Sequence, residues 1–330
     1  MVDTPEAYEP PGAAALRGCR RIVLGAATPA LLRSVAEIFA MMLRDFGMLS
    51  TARGLVRSCH PGPTAAVTVL AALLALAFHA PWLVSAVVVL AVFSGQLVIG
   101  WSNDLIDADR DRADARLDKP LAGAEVAGRS VLMALIGAAV VCVLTSLALG
   151  WPASGIHLVL LVGSGLAYNA GVKATIWSFV PYAVAFGSLP AVVWFAAAEG
   201  AVGRTGGGSI PVSGAPPAWM LLVGALLGVG AHLLNVLPDL AADERHGIRG
   251  LPHRLGQRHT QRLAPVLLGA GTVIVVLAPA EPVKWWGWVI LGLTGLLSAV
   301  AARGTGTTPF RAAIVLALLT AATLVMNSAG

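Results

Sequence analysis

Carboxylate side chains are concentrated in two short windows of this chain, which has 330 residues and 17 acidic residues in all. Carboxylates held close together repel one another unless a cation neutralises them. Their oxygens suit Mg²⁺, which is commonly held by one or two carboxylates together with phosphate oxygens of a substrate. The windows therefore predict a metal–phosphate site, or else a solvated run of charges that ends an apolar segment. Their acidic residues are Asp104, Asp107, Asp109, Asp111, Asp114 and Asp118 in the first window, and Asp239, Asp243 and Glu244 in the second.

The spacing within each window predicts a polar face on a helix. Residues at i, i+3, i+4, i+7 and i+8 lie on the same side of an α-helix. Asn235 extends the second face to membrane depth, where a polar side chain is costly and is a functional candidate. Two such faces favour a site over a solvated run of charges. The faces consist of Asp104, Asp107 and Asp111, and of Asn235, Asp239 and Asp243.

Basic residues near the windows extend this hypothesis. Facing carboxylate helices with Mg²⁺ between them can clamp a diphosphate and stabilise it as a leaving group. Basic side chains can then contact the remaining oxygens. Asp109 and Glu244 lie off the shared faces and are assigned no direct role. The candidate basic residues are Lys119, Lys173, Arg249 and Arg254.

The segments that must position these residues are strongly apolar. Hydrophobic residues make up 57% of the chain and charged residues only 12%, and the mean hydropathy is +0.80. An ordinary soluble domain carries about 25% charged residues, so this composition predicts a membrane protein. It excludes disordered, collagen-like and disulfide-scaffold classes. The three cysteines are widely spaced and fit neither a metal motif nor a disulfide framework.

Nine apolar runs are long enough to span the hydrocarbon, which takes about 20 residues for each crossing. They predict an all-α fold, a polytopic membrane bundle of about nine transmembrane helices. Each acidic window extends from the end of one of these runs. The runs cover residues 62–80, 82–102, 130–149, 152–170, 177–198, 218–237, 263–280, 285–302 and 309–327.

The distribution of basic residues predicts the orientation of the bundle. Of the 22 Lys and Arg residues, all but Arg204 and Lys284 fall in segments on the same side. The positive-inside rule makes that side cytoplasmic, with the N-terminus and both acidic windows there and the protein in the cell membrane. The rule also explains the formal net charge of +5, so this charge does not indicate that the protein binds nucleic acid.

The chain is expected to divide into an N-terminal cytoplasmic segment, residues 1–54, and a membrane domain, residues 55–330. The first 16 residues carry acids and no apolar core, so they predict a disordered start and not a cleavable signal peptide. Apolar residues at helical spacing over residues 28–49 predict an amphipathic helix, either in the membrane interface or packed on the bundle. The Gly-, Pro- and Ser-rich segment 199–217 predicts a flexible external loop.

Three segments resemble the motifs of the UbiA superfamily of intramembrane prenyltransferases. The run NDLIDADRD from Asn103, followed by LDKP, resembles the family signature N-D-x-x-D-x-x-x-D. The run from Asn235 to Gly256 looks like the family's D-x-x-x-D motif with its trailing G-x-[KR]-x-L-P-x-[KR]-x-G. YNAGVKATIW from Tyr168 resembles the Tyr/Lys loop before the fifth span. The resemblance covers about residues 55–327 and implies a helical bundle around a central cavity.

The resemblance implies roles for particular residues. The two acidic motifs would ligate Mg²⁺ and diphosphate, and their aspartates would be the catalytic and metal-binding set. Lys173 would contact the diphosphate. Lys119 stands where many members have Arg, and a lysine there keeps the positive charge but lacks the bidentate fork of a guanidinium. The implied metal set is Asp104, Asp107, Asp111, Asp239 and Asp243. With Asn235 and Arg249 added from their positions in the chain, the expected diphosphate set is Asn103, Lys119, Lys173, Asn235 and Arg249.

The resemblance implies an enzyme that transfers an isoprenyl group from a prenyl diphosphate to a lipophilic acceptor within the membrane lipid. Loss of diphosphate leaves an allylic cation, which needs shielding from water and can be stabilised by aromatic faces. Candidate aromatics lie near the cytoplasmic ends of their spans, although an interfacial aromatic belt gives the same pattern. They are Trp101, Trp177, Tyr182 and Phe186.

Two alternative functions fit parts of the pattern. A membrane terpene cyclase of the same superfamily, in which the chain's own double bonds capture the cation, needs the same residues. A transporter of an anionic substrate is the alternative from another class, but it would place ionisable residues near mid-bilayer. Neither a nucleic acid nor an obligate protein partner is expected.

Overall fold

The computed structural model describes residues 33–34, 48–201, 214–278, 282–305 and 308–328, and within these ranges it contains helices and no strands. The all-α fold is therefore confirmed. The chain divides into two compact units, Met1–Arg53 and Gly54–Gly330. The predicted amphipathic helix and most of the predicted loop at 199–217 lie outside the described residues.

Eleven helices follow one another in the described part of the chain. Two short 3₁₀ helices, Val172–Ala174 and Ile176–Phe179, separate the fifth helix from the sixth, and the fifth contains a π-helical stretch at Ile156–Val162. The helices are α1 Met48–Ser58, α2 Pro61–Ala77, α3 Trp82–Ala113, α4 Gly128–Leu147, α5 Trp151–Asn169, α6 Val180–Ala201, α7 Ala218–Val236, α8 Leu240–Arg245, α9 Leu251–Leu277, α10 Trp285–Arg303 and α11 Thr308–Ser328.

Seven helices among the described residues are long and apolar enough to cross a membrane, or up to eight if the bent pair α1 and α2 counts as one span. The predicted count of nine is not confirmed. Helix α2 has 17 residues, which rise roughly 26 Å against about 30 Å of hydrocarbon. The apolar part of α11, Ile314–Asn327, is also short. A helix nevertheless occupies each of the predicted runs.

Helix α3 extends beyond the length needed to cross a membrane and carries the first acidic window on its last turns. Its 32 residues rise about 48 Å, well over the hydrocarbon thickness of about 30 Å. The helix starts after Pro81 and ends at Ala113. The predicted continuation of this span as a helix through Asp111 is therefore confirmed.

The second acidic window does not lie on one continuous helix, so the predicted face at i, i+4 and i+8 from Asn235 is wrong. Helix α7 ends at Val236 and α8 begins at Leu240. Pro238 lies between them and has no N–H to continue the helical hydrogen bonds. Asp239 N donates instead to Val236 O at 3.0 Å in a tight turn. The aspartates of this window are therefore positioned by the turn and by α8.

Glycines let helices α6 and α7 approach closely. A Cβ at Gly228 would lie 2.3 Å from Tyr182 O and 2.8 Å from Phe186 Cβ, and a Cβ at Gly224 would lie 2.3 Å from Phe186 O. No side chain fits at either position. Small residues at this spacing bring helix backbones together in membrane proteins. The contact therefore determines where α6 holds Tyr182 and Phe186.

Candidate active site

Three acidic side chains of α3 share a buried face. Asp104, Asp107 and Asp111 are 2%, 7% and 4% exposed, whereas the side chain of Asp109 is 96% exposed. The structure thus separates the shared face from Asp109, as the helical spacing predicts. A buried carboxylate is costly unless it is paired. The partners of these aspartates therefore define the site.

Asp104 has two nitrogen partners at the same oxygen. His60 Nε2 lies 3.0 Å from Asp104 Oδ1, and Lys119 Nζ donates to that oxygen at 3.2 Å. His60 immediately precedes α2 in a left-handed conformation, with φ 55°. Lys119, in the loop after α3, and His60, immediately before α2, thus both contact the first acidic window.

Asp107 is paired with the loop between α5 and α6. Lys173 Nζ donates to both of its carboxylate oxygens, at 2.6 and 2.7 Å. Arg110, one turn further along α3, places Nη2 2.9 Å from Asp107 Oδ2. Asp111 forms no ion pair with any described residue. The Tyr/Lys loop is therefore in direct contact with the first window.

The segment after the second window packs on the same loop. A Cβ at Gly250 would lie 2.7 Å from Lys173 O and 2.8 Å from Ser178 Oγ. The next residue, Leu251, donates its backbone N–H to Ser178 Oγ at 2.9 Å. Gly250, which stands at a variable position of the trailing motif, is thus required by its close approach to the backbone of Lys173.

Arg116 joins the two acidic windows. Its Nη1 donates to Asp239 Oδ1 at 3.2 Å, while Nε and Nη2 donate to Asp118 at 3.2 and 3.0 Å. The hydrogen bonds to Asp118 raise the pKa of the Arg116 guanidinium, and the same contact lowers the pKa of Asp118. A second link is formed by His246, whose Nε2 lies 2.6 Å from Asp114 Oδ2. Segments far apart in sequence thus form one cluster.

Asp243 is partly withdrawn from solvent beside its neighbour in the second window. Burial raises the pKa of the Asp243 carboxyl, and repulsion from Asp239 raises it further. His253 Nε2 lies 3.7 Å from Asp243 Oδ2, and neither nitrogen of His253 has a hydrogen-bond partner among the described residues. The second window is therefore the less fully paired of the two.

A cavity of about 210 Å³ lies in the bundle next to this cluster. His60, Asn103 and Asn235 line its polar end, and Asn235 Nδ2 donates to Tyr182 OH at 3.4 Å. Its other walls are largely apolar and include Leu268 and Leu318. The cavity thus combines a polar end with a space for a hydrocarbon group.

Aromatic rings line one side of the cavity. The rings of Tyr168 and Tyr182 meet edge to face at 5.2 Å, and Tyr182 stacks on Phe186 at 6.3 Å. The other two candidate aromatics, Trp101 and Trp177, do not line this cavity. The indole of Trp101 is buried and donates to a backbone carbonyl at 2.9 Å, and Trp177 is exposed. Tyr168 and Tyr182 lie at the polar end of the cavity, which is also lined by Asn103 and Asn235.

Not every predicted site residue joins the cluster. Asn103 and Asn235 line the cavity, and Lys119 and Lys173 contact aspartates of α3. Arg249 is exposed, and its side chain forms no ion pair with the described part of the chain. The geometry therefore gives no support to Arg249 as a diphosphate contact.

Three cationic or titratable contacts escaped the sequence analysis. His60 lies in the segment before the first span, Arg110 lies between the aspartates of α3, and Arg116 lies in the following loop. None belongs to a spacing pattern that separates it from the other basic residues of the loops. Only the density of charge in the run from Arg110 to Lys119 indicated that partners for the acids were close.

The donor set fits Mg²⁺ that binds together with a diphosphate. Among the described residues, no three His, Cys, Asp or Glu side chains converge closely enough to hold a metal ion by themselves. Mg²⁺ seldom needs such a cage, because one or two carboxylates, waters and substrate phosphates commonly complete its shell. Asp104, Asp107 and Asp239 supply hard oxygens within the connected cluster. The residues present therefore suit this ion.

Comparison with known proteins identifies relatives of the chain. The model of the UbiA prenyltransferase family matches residues 64–319. No curated protein sequence matches this chain.

Solved structures of UbiA homologs share the fold. The apo structure of a UbiA homolog from Aeropyrum pernix K1 has a TM-score of 0.62 at 17% identity, covering 81% of this chain and 98% of that one. A UbiA homolog from Archaeoglobus fulgidus bound to GPP and Mg²⁺ has a TM-score of 0.58 at 13% identity, covering 84% and 100%. The A. fulgidus homolog bound to DMAPP and Mg²⁺ has a TM-score of 0.57 at 17% identity, covering 82% and 99%.

Proposed function

Because this chain belongs to the UbiA prenyltransferase family, we propose that it transfers an isoprenyl group from a prenyl diphosphate to a lipophilic acceptor in a Mg²⁺-dependent reaction. One observation carries the proposal: two acidic windows and a lysine loop meet beside a cavity that is polar at one end and apolar elsewhere. The contacts that join them are Lys173 with Asp107 at 2.6 Å and Arg116 with Asp239 at 3.2 Å.

The relatives support the class of donor. The A. fulgidus homologs were solved with GPP and DMAPP, which are prenyl diphosphates, and with Mg²⁺. A diphosphate carries negative charge that needs both a metal and basic side chains, and the cluster offers carboxylates for the metal and cations for the remaining oxygens. We therefore assign a prenyl diphosphate and Mg²⁺ to this chain.

The acidic cluster is the proposed diphosphate site. The aspartates of both windows would hold Mg²⁺, whose positive charge would make diphosphate a good leaving group. They are Asp104, Asp107, Asp111, Asp239 and Asp243. The basic side chains already in the cluster bind the oxygens that remain. They are Lys119, Lys173 and Arg116, with the amides of Asn103 and Asn235 at the cavity entrance.

The cavity is the proposed site of carbon–carbon or carbon–heteroatom bond formation. The bond between the allylic carbon and the diphosphate oxygen breaks, and its electron pair leaves with the oxygen. The faces of Tyr168, Tyr182 and Phe186 stabilise the allylic cation, and the apolar walls keep water away from it. An electron pair of the acceptor then forms the new bond to the allylic carbon, and the acceptor loses a proton.

The orientation of the chain belongs to the same proposal. With 20 of the 22 Lys and Arg residues on one side, the positive-inside rule places the acidic cluster on the cytoplasmic face of the cell membrane. Residues 1–54 then form a cytoplasmic segment ahead of the membrane domain. Diphosphates would reach the cluster from the cytoplasm, and the acceptor would reach the cavity from the lipid.

Proteoliposomes of the purified protein, incubated with radiolabelled prenyl diphosphates and a lipid extract, test the proposed function. We expect a labelled lipid conjugate that forms with Mg²⁺, disappears in EDTA and returns when Mg²⁺ is restored, because the leaving group needs the metal. Undiminished conjugation in EDTA contradicts the metal requirement. A labelled hydrocarbon formed without acceptor identifies a cyclase, and intact diphosphate carried across the sealed membrane identifies a transporter.

A further inference from the structure

His253 is a buried imidazole whose two nitrogens find no hydrogen-bond partner in the described part of the chain. Its side chain is 3% exposed, and the partner is missing at both Nδ1 and Nε2. A buried polar group without a partner is destabilising, and an ion or a water that belongs at the site is a common explanation. His253 stands at a variable position of the trailing motif, so the family resemblance gives it no role.

The distance from His253 to the second window is unlike that of a hydrogen-bonded pair. His60 and His246 lie within hydrogen-bond distance of their aspartates, at 3.0 and 2.6 Å. His253 Nε2 lies 3.7 Å from Asp243 Oδ2, whereas a hydrogen bond brings nitrogen and oxygen to about 2.7–3.2 Å. The gap suits two ligands of one metal ion, which lie up to about 4 Å apart when each bond to the ion is about 2.0–2.2 Å long.

The carboxylate of Asp243 also lacks a cation of its own. Among the described residues, no arginine or lysine lies within ion-pair distance of it. Arg110 and Lys173 attract the carboxylate from further away, but both already pair with the first acidic window. Asp239 repels it. A cation between Asp243 and His253 would therefore satisfy the carboxylate and one imidazole nitrogen together.

The start of α9 fixes the position of His253. Leu251 donates its backbone N–H to Ser178 Oγ at 2.9 Å. Gly250 lies against Lys173 O with no room for a Cβ. His253 follows two residues after Leu251, on the first turn of the helix. An imidazole that is already held in place loses little conformational freedom when it binds an ion.

We propose that His253 Nε2 and Asp243 Oδ2 are two ligands of one divalent metal ion at the second window, and that the imidazole makes this position favour Co²⁺ or Zn²⁺ over Mg²⁺. Imidazole nitrogen suits such transition-metal ions, whereas Mg²⁺ prefers oxygen ligands. Two side chains do not complete a metal shell, so water and diphosphate oxygens supply the other ligands. The inference rests on the proposed function for that diphosphate.

Pulsed EPR of Mn²⁺ bound to the purified protein with inorganic diphosphate tests the ligation. The nitrogen nucleus of a coordinated imidazole couples to the electron spin of Mn²⁺. Wild type should show this coupling, and His253→Leu should lose it. In competition, Co²⁺ should displace Mn²⁺ from wild type at lower concentrations than Mg²⁺ does. That preference should fall at least about tenfold in His253→Leu, since altering groups that only orient metal ligands already costs about 10–100-fold in affinity.

Three further variants complete the experiment. His259→Leu is the matched control, because His259 is on the same helix but is exposed, with Nδ1 3.0 Å from Leu255 O. It should keep the nitrogen coupling and the preference for Co²⁺. His60→Gln should keep the coupling as well, although His60 contacts the proposed metal ligand Asp104. Should His253→Leu not fold, His253→Gln carries the same test, because a glutamine amide coordinates through oxygen.

The outcomes separate this inference from the proposed function. No nitrogen coupling in wild type, or equal coupling in wild type and the His253 variants, overturns the inference and leaves prenyl transfer in place. An equal loss of affinity for Co²⁺ and Mg²⁺ in the His253 variants also overturns it, because a merely structural role would weaken both ions alike. Coupling that depends on His253, without consumption of any prenyl diphosphate, supports the metal site and overturns prenyl transfer.

Discussion

At the scale of single residues, the site is a set of buried carboxylates balanced by basic side chains. Lys173 takes both oxygens of Asp107, and Lys119 reaches Asp104. Removing one member of a buried ion pair costs about 3–5 kcal/mol because the other charge loses its partner. Asp239 differs, because 46% of its side chain is exposed and water can replace its contact with Arg116. Charge removal should therefore affect stability and activity differently at the two windows.

Substitutions of aspartate by asparagine separate these effects. Asp239→Asn should lower turnover by at least about 100-fold, as loss of one electrostatic contact at a reacting group commonly does, with little change in the free energy of unfolding. Asp107→Asn should lower turnover similarly and also destabilise the protein, because Lys173 loses its partner. Initial rates and thermal unfolding in detergent measure both quantities.

The control for both variants is Asp109→Asn. Asp109 lies in the same window, but its side chain is 96% exposed and pairs with Arg112 on the surface. Rates and unfolding temperature should stay near those of wild type, because exposed ion pairs contribute about 0–1 kcal/mol. Wild-type turnover in Asp239→Asn would show that the second window takes no part in the reaction.

At the scale of elements, helix length and helix contacts place the functional groups. The length of α3 takes its aspartates past the apolar run, and Pro238 ends α7 so that Asp239 follows in a turn. Gly224 and Gly228 then bring α7 against α6. The aromatic wall of the cavity depends on that last contact, because Tyr182 and Phe186 project from the part of α6 that touches these glycines.

Gly228→Ala tests the helix contact. The added Cβ would lie 2.3 Å from Tyr182 O, so α6 and α7 must separate, and such overpacking costs about 1–3 kcal/mol. We expect a lower unfolding temperature in detergent and reduced turnover as the aromatic rings shift. Gly292→Ala on α10 is the matched control, since no described atom beyond its own stretch of helix lies within 4 Å of the added Cβ. Equal stability of the two variants would show that α6 and α7 do not need the close approach.

At the scale of the whole molecule, the mechanism requires three polar segments on the same side of the membrane. The end of α3 with the loop after it, the loop with Lys173 and the segment after α7 are joined directly by Lys173 with Asp107 and by Arg116 with Asp239. A diphosphate could not contact all three if one of them faced the opposite side. In the proposed orientation these segments lie in the cytoplasm, because the positive-inside rule favours that side for segments rich in Lys and Arg.

Cysteine accessibility tests this topology. Single cysteines replace the exposed residues Leu117, Ala174 and Glu244, one in each segment, in a background without the native cysteines. An impermeant thiol reagent added to intact cells should leave all three unlabelled and should label Ala215→Cys in the loop before α7. Permeabilised cells provide the control, in which all four are labelled. Opposite behaviour of Leu117→Cys and Glu244→Cys would mean that the two windows cannot form one site.

The sequence by itself determined the class of protein and the chemistry of its polar groups. Apolar runs predict membrane helices because each run is a local property of the chain. The aspartates of α3 share a face because helical geometry relates neighbours three to four residues apart. The resemblance to UbiA motifs identified the family, which the match over residues 64–319 confirms.

Only the tertiary structure decided which distant residues meet. Arg116 reaches Asp239 across 123 positions, and His60 reaches Asp104 across 44. The turn at Pro238 replaced the continuous face that spacing alone predicted. Asn103, Tyr182 and Asn235 come from three helices to line one cavity. Such contacts depend on how helices pack against one another, and helix packing relates residues whose separation along the chain carries no period that a sequence pattern could display.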